Sequence, residues 1–217
     1  PSNITEGGIV YSVGSFDGKN IDYDFSKILI YLNAKGKLLF GKDFRIHRED
    51  NKIIRKLCVY FIKDKDGCKK YGLDPDKGLL LSGPVGCGKT SLIKLMRHLV
   101  PHQRWYEIVS CRNIVFGFNH IGYKTVEDYG KSTCLCFDDL GVEPTGRFYG
   151  KDCNVVGEIL LSRYDLFLQS KGNFKTHATT NLNADELEEM YGTRVRSRMR
   201  ELFNLISFPK NTKDKRK

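Results

Sequence analysis

Short apolar runs alternate with amphipathic segments along the chain from Lys77 onward. Each run is bounded by glycine or polar residues, a pattern that predicts buried strands. Between the runs, apolar residues recur at helical spacing over 154–171, and further helical material is expected around 184–201. Strands that alternate with helices predict a parallel α/β sheet that is covered on both faces. The predicted strands are 78–82, 104–110, 133–139, 174–181 and 202–208.

The first third of the chain is patterned more weakly. Asp17-Gly18 lies between semi-alternating segments and predicts a hairpin turn. A short helix is expected from near Ser26 to Gly36. A second helix, with apolar residues at helical spacing from Ile53, is expected to end near Gly67.

The composition is that of a globular protein, because 40% of the 217 residues are hydrophobic and 29% are charged. This length is enough for one substantial domain. The apolar runs are too short to cross a bilayer, so no membrane partner is expected. The seven cysteines form an odd set without a CxxC pair, which argues against a disulfide scaffold and against a zinc site. A reducing, cytoplasmic location is therefore expected.

The net charge of +10 is distributed unevenly. Over 194–217, nine lysines and arginines stand against Glu201 and Asp214, so most of the excess charge lies in this segment. Such asymmetry favours a polyanionic partner, of which nucleic acid is the commonest. A solvated basic surface is the alternative.

The octapeptide GPVGCGKT (83–90) matches the pattern G-x-x-x-x-G-K-[ST] in full. It follows a predicted strand and precedes a predicted helix, the context in which this pattern cradles nucleotide phosphates. Lys89 is expected to reach the β- and γ-phosphates of ATP, and Thr90 to supply a hydroxyl ligand to Mg²⁺. The predicted nucleotide-binding residues are Gly83, Pro84, Val85, Gly86, Cys87, Gly88, Lys89, Thr90 and Ser91.

Two aspartates end the apolar strand in CLCFDDLGVEP (134–144). Carboxylates at this strand end lie beside the phosphate loop, so Asp138 is expected to hold Mg²⁺ and Asp139 to polarise the attacking water. Glu143 is a second candidate for orienting that water. A pair of helix-capping aspartates is the alternative interpretation.

The next predicted strand ends in polar residues, THATTN (176–181). A strand interleaved between the phosphate-loop strand and the acidic strand can present one polar side chain to the γ-phosphate and the water. Asn181 is the candidate for this role, with Thr180 as the alternative. An asparagine in a strand-to-helix turn is the structural interpretation.

Arginines occupy every second position of TRVRSRMREL (193–202). Gly192 is placed to end one helix, and Thr193 to cap the next. On a helix, Arg194 and Arg198 share one face, and the arginines at 196 and 200 share another.

In this order, GPVGCGKT, CFDDLGVEP, THATTNL and YGTRVRSRM resemble the AAA+ ATPases of the DnaC/IstB type over residues 50–208. The resemblance implies a three-layer P-loop NTPase fold with strand order 5-1-4-3-2 and ATP hydrolysis at a subunit interface. It further implies contact with single-stranded DNA, and a replicative helicase or a transposase as partner. Carried over by position, the phosphate-loop pair is Lys89 and Thr90, and the acidic pair is Asp138 and Asp139. The sensor is Asn181, and the arginine finger is Arg198, with Arg194 beside it.

Three regions follow from this interpretation. Residues 1–49 form an N-terminal extension of unclear role, residues 50–208 form the ATPase domain, and residues 209–217 form a basic tail that its composition predicts to be disordered. The leading hypothesis is an ATP-hydrolysing helicase loader that self-associates on ATP, and a transposase helper is the close alternative. A small-molecule P-loop kinase and an ATP-gated scaffold with little turnover are the alternatives from other classes.

Overall fold

The computed structural model describes residues 1–103, 105–131, 134–170 and 173–216. Four positions that the sequence assigned to elements, Arg104, Thr133, Lys171 and Lys217, lie outside the described residues. The chain folds as two compact units, Pro1–Leu73 with Ser91–Arg104 and Asp74–Thr90 with Trp105–Lys217.

The first unit is built from two hairpins and several helices. Its elements are β1 (Asn3–Glu6), β2 (Ile9–Ser12), β3 (Gly14–Phe16), β4 (Ile21–Tyr23), α1 (Phe25–Phe40), a 3-10 turn (Arg48–Asp50), α2 (Asn51–Phe61) and α3 (Lys65–Tyr71). Helix α4 (Lys89–Leu99) begins at the end of the phosphate loop. The hairpin predicted at Asp17 is confirmed by the antiparallel β3–β4 pair, and the Asp17 carboxylate accepts the N–H groups of Lys19 and Asn20 at 2.8 and 2.6 Å.

Two predicted helix ends are wrong. Helix α1 continues through Gly36 to Phe40, and the ring of Phe44 packs into the space that a side chain at position 36 would fill. Helix α2 ends at Phe61, and Gly67 lies inside α3 rather than at the end of α2. The reason is Asp64, whose carboxylate accepts the Gly67 N–H at 2.9 Å and so starts a new helix.

The second unit contains the central sheet. Its elements are β5 (Gly78–Ser82), β6 (Glu107–Ser110), α5 (Cys111–Ile121), α6 (Tyr123–Lys131), β7 (Leu135–Asp138), β8 (Gly146–Phe148), β9 (Lys151–Cys153), α7 (Val155–Ser170), β10 (Thr176–Thr180), α8 (Ala184–Leu202) and β11 (Phe203–Ser207). A short antiparallel pair, β8–β9, precedes α7 and was not predicted.

The sheet has the order β11-β5-β10-β7-β6, and all of its pairs are parallel. When the five strands of this sheet are numbered 1 to 5 in chain order, their spatial order is 5-1-4-3-2, as predicted. The α/β P-loop NTPase fold is therefore confirmed. Thr180 is in register with Ser82, and Ala178 with Phe137. The residues that follow β5, β7 and β10 therefore lie along one edge of the sheet.

Buried polar groups of the sheet are hydrogen-bonded. Arg163, on α7, donates to Thr176 Oγ1 at 2.7 Å and to the Tyr129 carbonyl at 3.0 Å, and burial lowers its pKa to about 10. His177 Nδ1 accepts the Leu79 N–H at 3.1 Å, and burial lowers the pKa of this imidazole to about 3. At neutral pH the arginine is charged and the histidine is neutral, and both connect β10 to its neighbours.

Within the described ranges, none of the helices is long and apolar enough to cross a bilayer. The seven cysteines all lie in the described ranges and form no disulfide there; six are buried and Cys153 is partly exposed.

Candidate nucleotide-binding site

The phosphate loop leaves the buried strand β5 and enters α4. Gly86 and Gly88 have φ angles of 77° and 100°, a region that side chains rarely adopt. Val85 is exposed, whereas the Cys87 thiol is fully buried. Ser91 lies in the first turn of α4 and is partly exposed. The loop therefore has the curled backbone that the glycine pattern predicts.

Lys89 is held at the centre of this loop. Its ammonium donates to the carbonyls of Gly83 and Pro84 at 2.8 and 2.9 Å, and to Asn181 Oδ1 at 2.8 Å. Only 5% of the residue is exposed, and this burial lowers the pKa of the ammonium, with Cys87 and the nearby aspartates opposing the shift. The phosphate-loop lysine and the predicted sensor are thus in direct contact.

The acidic strand end contacts the loop through Asp138. One carboxylate oxygen, Oδ1, accepts the Thr90 hydroxyl at 2.8 Å and the Thr179 hydroxyl at 2.6 Å. The two residues predicted to hold Mg²⁺, Thr90 and Asp138, are therefore adjacent. Their hydroxyl and carboxylate oxygens are the ligand types that Mg²⁺ prefers in nucleotide sites, where phosphates complete the coordination.

Asp139 adopts a left-handed backbone conformation, with φ of 57°. Its N–H donates to Thr179 Oγ1 at 3.0 Å, and its side chain is exposed. Aspartate and asparagine tolerate this conformation better than most residues do. Desolvation and the neighbouring Asp138 raise the pKa of the Asp139 carboxyl, while Lys89 and Arg216 act in the opposite direction.

The Glu143 carboxylate has hydrogen-bond partners of its own, in the turn after β7 and on α8. Glu143 is 5% exposed, and its carboxylate accepts the Gly141 N–H at 2.8 Å and the hydroxyl of Tyr191. Both carboxylate oxygens are thereby engaged in holding the turn after β7 against α8.

Two solved structures illustrate the architectures that this chain resembles. The DnaC helicase loader superposes with a TM-score of 0.53 and 20% identity, over 77% of this chain and 94% of that one. AMPPCP-bound DnaA from Aquifex aeolicus gives a TM-score of 0.52 and 16% identity, over 85% of this chain and 53% of that one. The chain shares the fold of these two proteins.

A proteasome-activating nucleotidase from Methanococcus vannielii is 30% identical in an alignment of 171 residues that covers 73% of this chain. The chain spans 40% of the length of that relative. No protein-family model matches the sequence.

Arg194 and Arg198, the predicted arginine-finger pair, lie on α8, beyond a break at Gly192, where φ is 80° and ψ is 159°. The predicted helix end at this glycine is confirmed. Arg194 is exposed, and Arg198 lies 3.5 Å from Glu201 and 4.5 Å above the ring of Tyr164. In the described part of the chain, neither arginine forms a hydrogen bond or ion pair with Lys89 or Asp138.

Sequence reasoning missed Thr179. This buried threonine joins the carboxylate of Asp138 to the backbone of Asp139 and so fixes both aspartates. The signal was present, because THATT places hydroxyl-bearing residues inside a buried strand, where each hydroxyl needs a partner. Thr180, the alternative sensor, donates instead to the Leu140 carbonyl at 2.7 Å.

Proposed function

We propose that this chain binds ATP with Mg²⁺ and hydrolyses it, as a DNA-associated ATPase of the helicase-loader type. The observation that carries the proposal is the joining of three chain segments at one edge of the sheet. Lys89 contacts Asn181, and Thr90 contacts Asp138, at 2.8 Å each. A lysine, a hydroxyl, a carboxylate and an amide in this arrangement match the needs of a metal-bound triphosphate.

Each side chain has a distinct role in this proposal. Lys89 leaves its carbonyl partners to bind the β- and γ-phosphates, while Thr90 and Asp138 hold the metal ion. Magnesium, when bound, neutralises charge that develops on the phosphates. Asn181 senses the γ-phosphate because it shares a hydrogen bond with Lys89.

Asp139 is the proposed water-activating residue. Its carboxylate is exposed beside Asp138, whereas both oxygens of Glu143 are already hydrogen-bonded. The raised pKa of Asp139 makes it a stronger base than an ordinary aspartate. Because the ionised form is required, hydrolysis should decline as the pH falls through this raised pKa.

The proposed assembly is an ATP-dependent oligomer. Arg198 and Arg194 contact none of the phosphate-site side chains of their own chain in the described structure, and Arg194 is exposed. An arginine finger supplied by a neighbouring subunit explains this placement. Tyr164 and Glu201 orient the Arg198 guanidinium toward that role.

Association with single-stranded DNA rests on charge and on the residue pattern. Exposed basic residues such as Arg194, Arg200, Lys210 and Lys213 lie in the segment that holds most of the net positive charge. Phosphate contacts by lysine and arginine provide affinity without base specificity. The motifs CFDDLGVEP and YGTRVRSRM favour the loader type, with a replicative helicase as partner.

ATP turnover measured with and without a single-stranded oligonucleotide tests this function. We expect slow basal hydrolysis that single-stranded DNA stimulates several-fold, because an oligomer formed on the strand completes each site. Preferential stimulation by duplex DNA would instead support a transposase helper. Transfer of phosphate to a small-molecule acceptor, or ATP binding without turnover under any condition, would contradict the proposal.

Replacement of Asp139 by asparagine separates binding from hydrolysis. Asparagine tolerates the left-handed backbone at this position, so the fold should be preserved. ATP binding should be retained, while turnover should fall by about 10²–10⁴, the usual contribution of a general base. Single-turnover hydrolysis and an equilibrium binding titration measure the two quantities.

Glu143→Gln is the matched control for Asp139→Asn. It removes one negative charge from the same turn, but the affected carboxylate holds Gly141 and Tyr191 rather than facing the loop. We expect a lower midpoint of thermal unfolding and turnover within a few-fold of the original protein. If Glu143→Gln abolishes turnover and Asp139→Asn does not, Glu143 is the water-activating residue.

A further inference from the structure

Thr179 is fully buried in strand β10, and its hydroxyl has two partners at the end of the neighbouring strand β7. The hydroxyl donates to Asp138 Oδ1 at 2.6 Å and accepts the N–H of Asp139 at 3.0 Å. A threonine hydroxyl has one donor hydrogen and two acceptor lone pairs, so a single group can bind both aspartates at once.

The main chain of Thr179 adds a third bond to the same turn. Its carbonyl accepts the Leu140 N–H at 2.8 Å, so one residue of β10 binds two successive amides. Between these bonds the chain turns at Asp139, whose φ of 57° lies in the left-handed region. This conformation is costly for a residue with a side chain and persists only where surrounding contacts stabilise it. The hydroxyl and the carbonyl of Thr179 provide such contacts.

The carboxylate of Asp138 is held from two segments of the chain. The oxygen that accepts the Thr179 hydroxyl, Oδ1, also accepts the Thr90 hydroxyl at 2.8 Å. Within the described residues, the other oxygen of this carboxylate forms no hydrogen bond or ion pair. A carboxylate that is oriented through one oxygen can offer the other to a cation without first losing a partner.

We propose that Thr179 is a positioning residue for ATP hydrolysis, which acts through the two aspartates and not on the nucleotide. Its hydroxyl orients the Asp138 carboxylate for the metal ion. Its hydroxyl and carbonyl together fix the backbone from which Asp139 presents its carboxylate to the attacking water. Small displacements of a reacting group have large effects on rate, so the loss of these bonds should slow hydrolysis. The inference rests on the proposed binding and hydrolysis of ATP with Mg²⁺.

The test compares Thr179→Val with Thr179→Ser in the full chain. Valine keeps the branched shape and lacks the hydroxyl, whereas serine keeps the hydroxyl and lacks only a methyl group. We expect Thr179→Val to lower the single-turnover rate by about 10- to 100-fold, the usual effect of losing a hydrogen bond that orients a metal ligand. Thr179→Ser should stay within a few-fold of the unaltered chain. Thr179→Ala also lacks the hydroxyl and gives the same comparison if Thr179→Val does not fold.

The effect of Mg²⁺ on ATP binding is a second readout, which does not depend on turnover. The dissociation constant of ATP is measured by calorimetric titration with Mg²⁺ and with EDTA. Thr179→Val should bind metal-free ATP as the unaltered chain does, because the phosphate loop is intact. Mg²⁺ should increase its ATP affinity by a factor about tenfold smaller than in the unaltered chain. A general loss of structure would weaken both titrations equally.

A double-variant cycle tests the route through Asp139. In a chain that already carries Asp139→Asn, Thr179→Val should lower the single-turnover rate by a smaller factor than it does alone. The reason is that the general base is then absent, so its position no longer matters. Equal factors in the two backgrounds would show that Thr179 does not act through Asp139.

Thr176→Val is the matched control. Thr176 is also buried in β10, at the end of the strand away from the phosphate loop, and its hydroxyl accepts Arg163 Nε at 2.7 Å. Its replacement should lower the midpoint of thermal unfolding, because a buried guanidinium loses a partner. Turnover and the effect of Mg²⁺ on ATP binding should be unchanged at temperatures below that midpoint.

Two results would overturn the inference. Equal turnover and an equal effect of Mg²⁺ in Thr179→Val and Thr179→Ser would show that the hydroxyl does not position the aspartates. Equal weakening of ATP binding with Mg²⁺ and with EDTA in Thr179→Val would show that the hydroxyl only supports the fold. Failure of the unaltered chain to bind or hydrolyse ATP would instead reject the proposed function itself.

Discussion

Lys89→Ala should weaken ATP binding by about 100-fold or more, since it removes charge-assisted hydrogen bonds to two phosphates. The ammonium is buried and donates to Gly83, Pro84 and Asn181, and in the proposed function it exchanges the two carbonyls for phosphate oxygens. The dissociation constant of ATP can be measured by calorimetric titration. ATP should also fail to raise the midpoint of thermal unfolding of the variant, because only bound ligand stabilises the folded state.

Lys94→Ala is the matched control for this result. Lys94 lies on the same helix, α4, and is exposed, so its replacement removes the same charge without altering the loop. Its ATP affinity should equal that of the unaltered protein. An Lys89→Ala chain that binds ATP normally would place the nucleotide elsewhere and remove the basis of the proposed function.

Arg198→Ala should retain ATP binding and lose hydrolysis by about 10³–10⁵, the range for an arginine finger. The guanidinium is 38% exposed and bound only to Tyr164 and Glu201 in the described structure, so its loss should cost little stability. Turnover and ATP affinity are measured on the same preparation. Arg194→Ala, on the same helix face, should have a smaller effect.

Subunit mixing shows whether the arginine acts across a boundary. Arg198→Ala chains keep an intact phosphate site, and Lys89→Ala chains keep an intact finger, so a mixture should recover part of the turnover that each lacks alone. Arg200→Ala removes an exposed charge from the other helix face and should hydrolyse ATP normally. Normal hydrolysis by Arg198→Ala, or no recovery on mixing, would reject the assignment.

Sequence reasoning was most successful where a local pattern has one physical interpretation. The run GLLLS before GPVGCGKT predicted a buried strand and a curled loop, and both are observed. It was least successful at the ends of helices in the first third. Gly36 and Gly67 were predicted to end helices, but the packing of Phe44 and the cap at Asp64 decide otherwise.

The parallel sheet, the phosphate loop and the polar strand ends could all be predicted from the residue pattern. Periodicity and glycine placement are local properties, and parallel strands bring their carboxyl ends to one edge. Three contacts became visible only in the folded chain: Thr179 fixes both aspartates, Tyr191 engages Glu143, and Lys215 rests on the loop. These contacts join residues that are far apart in the chain, so no local spacing encodes them, and packing of the whole unit selects the partners.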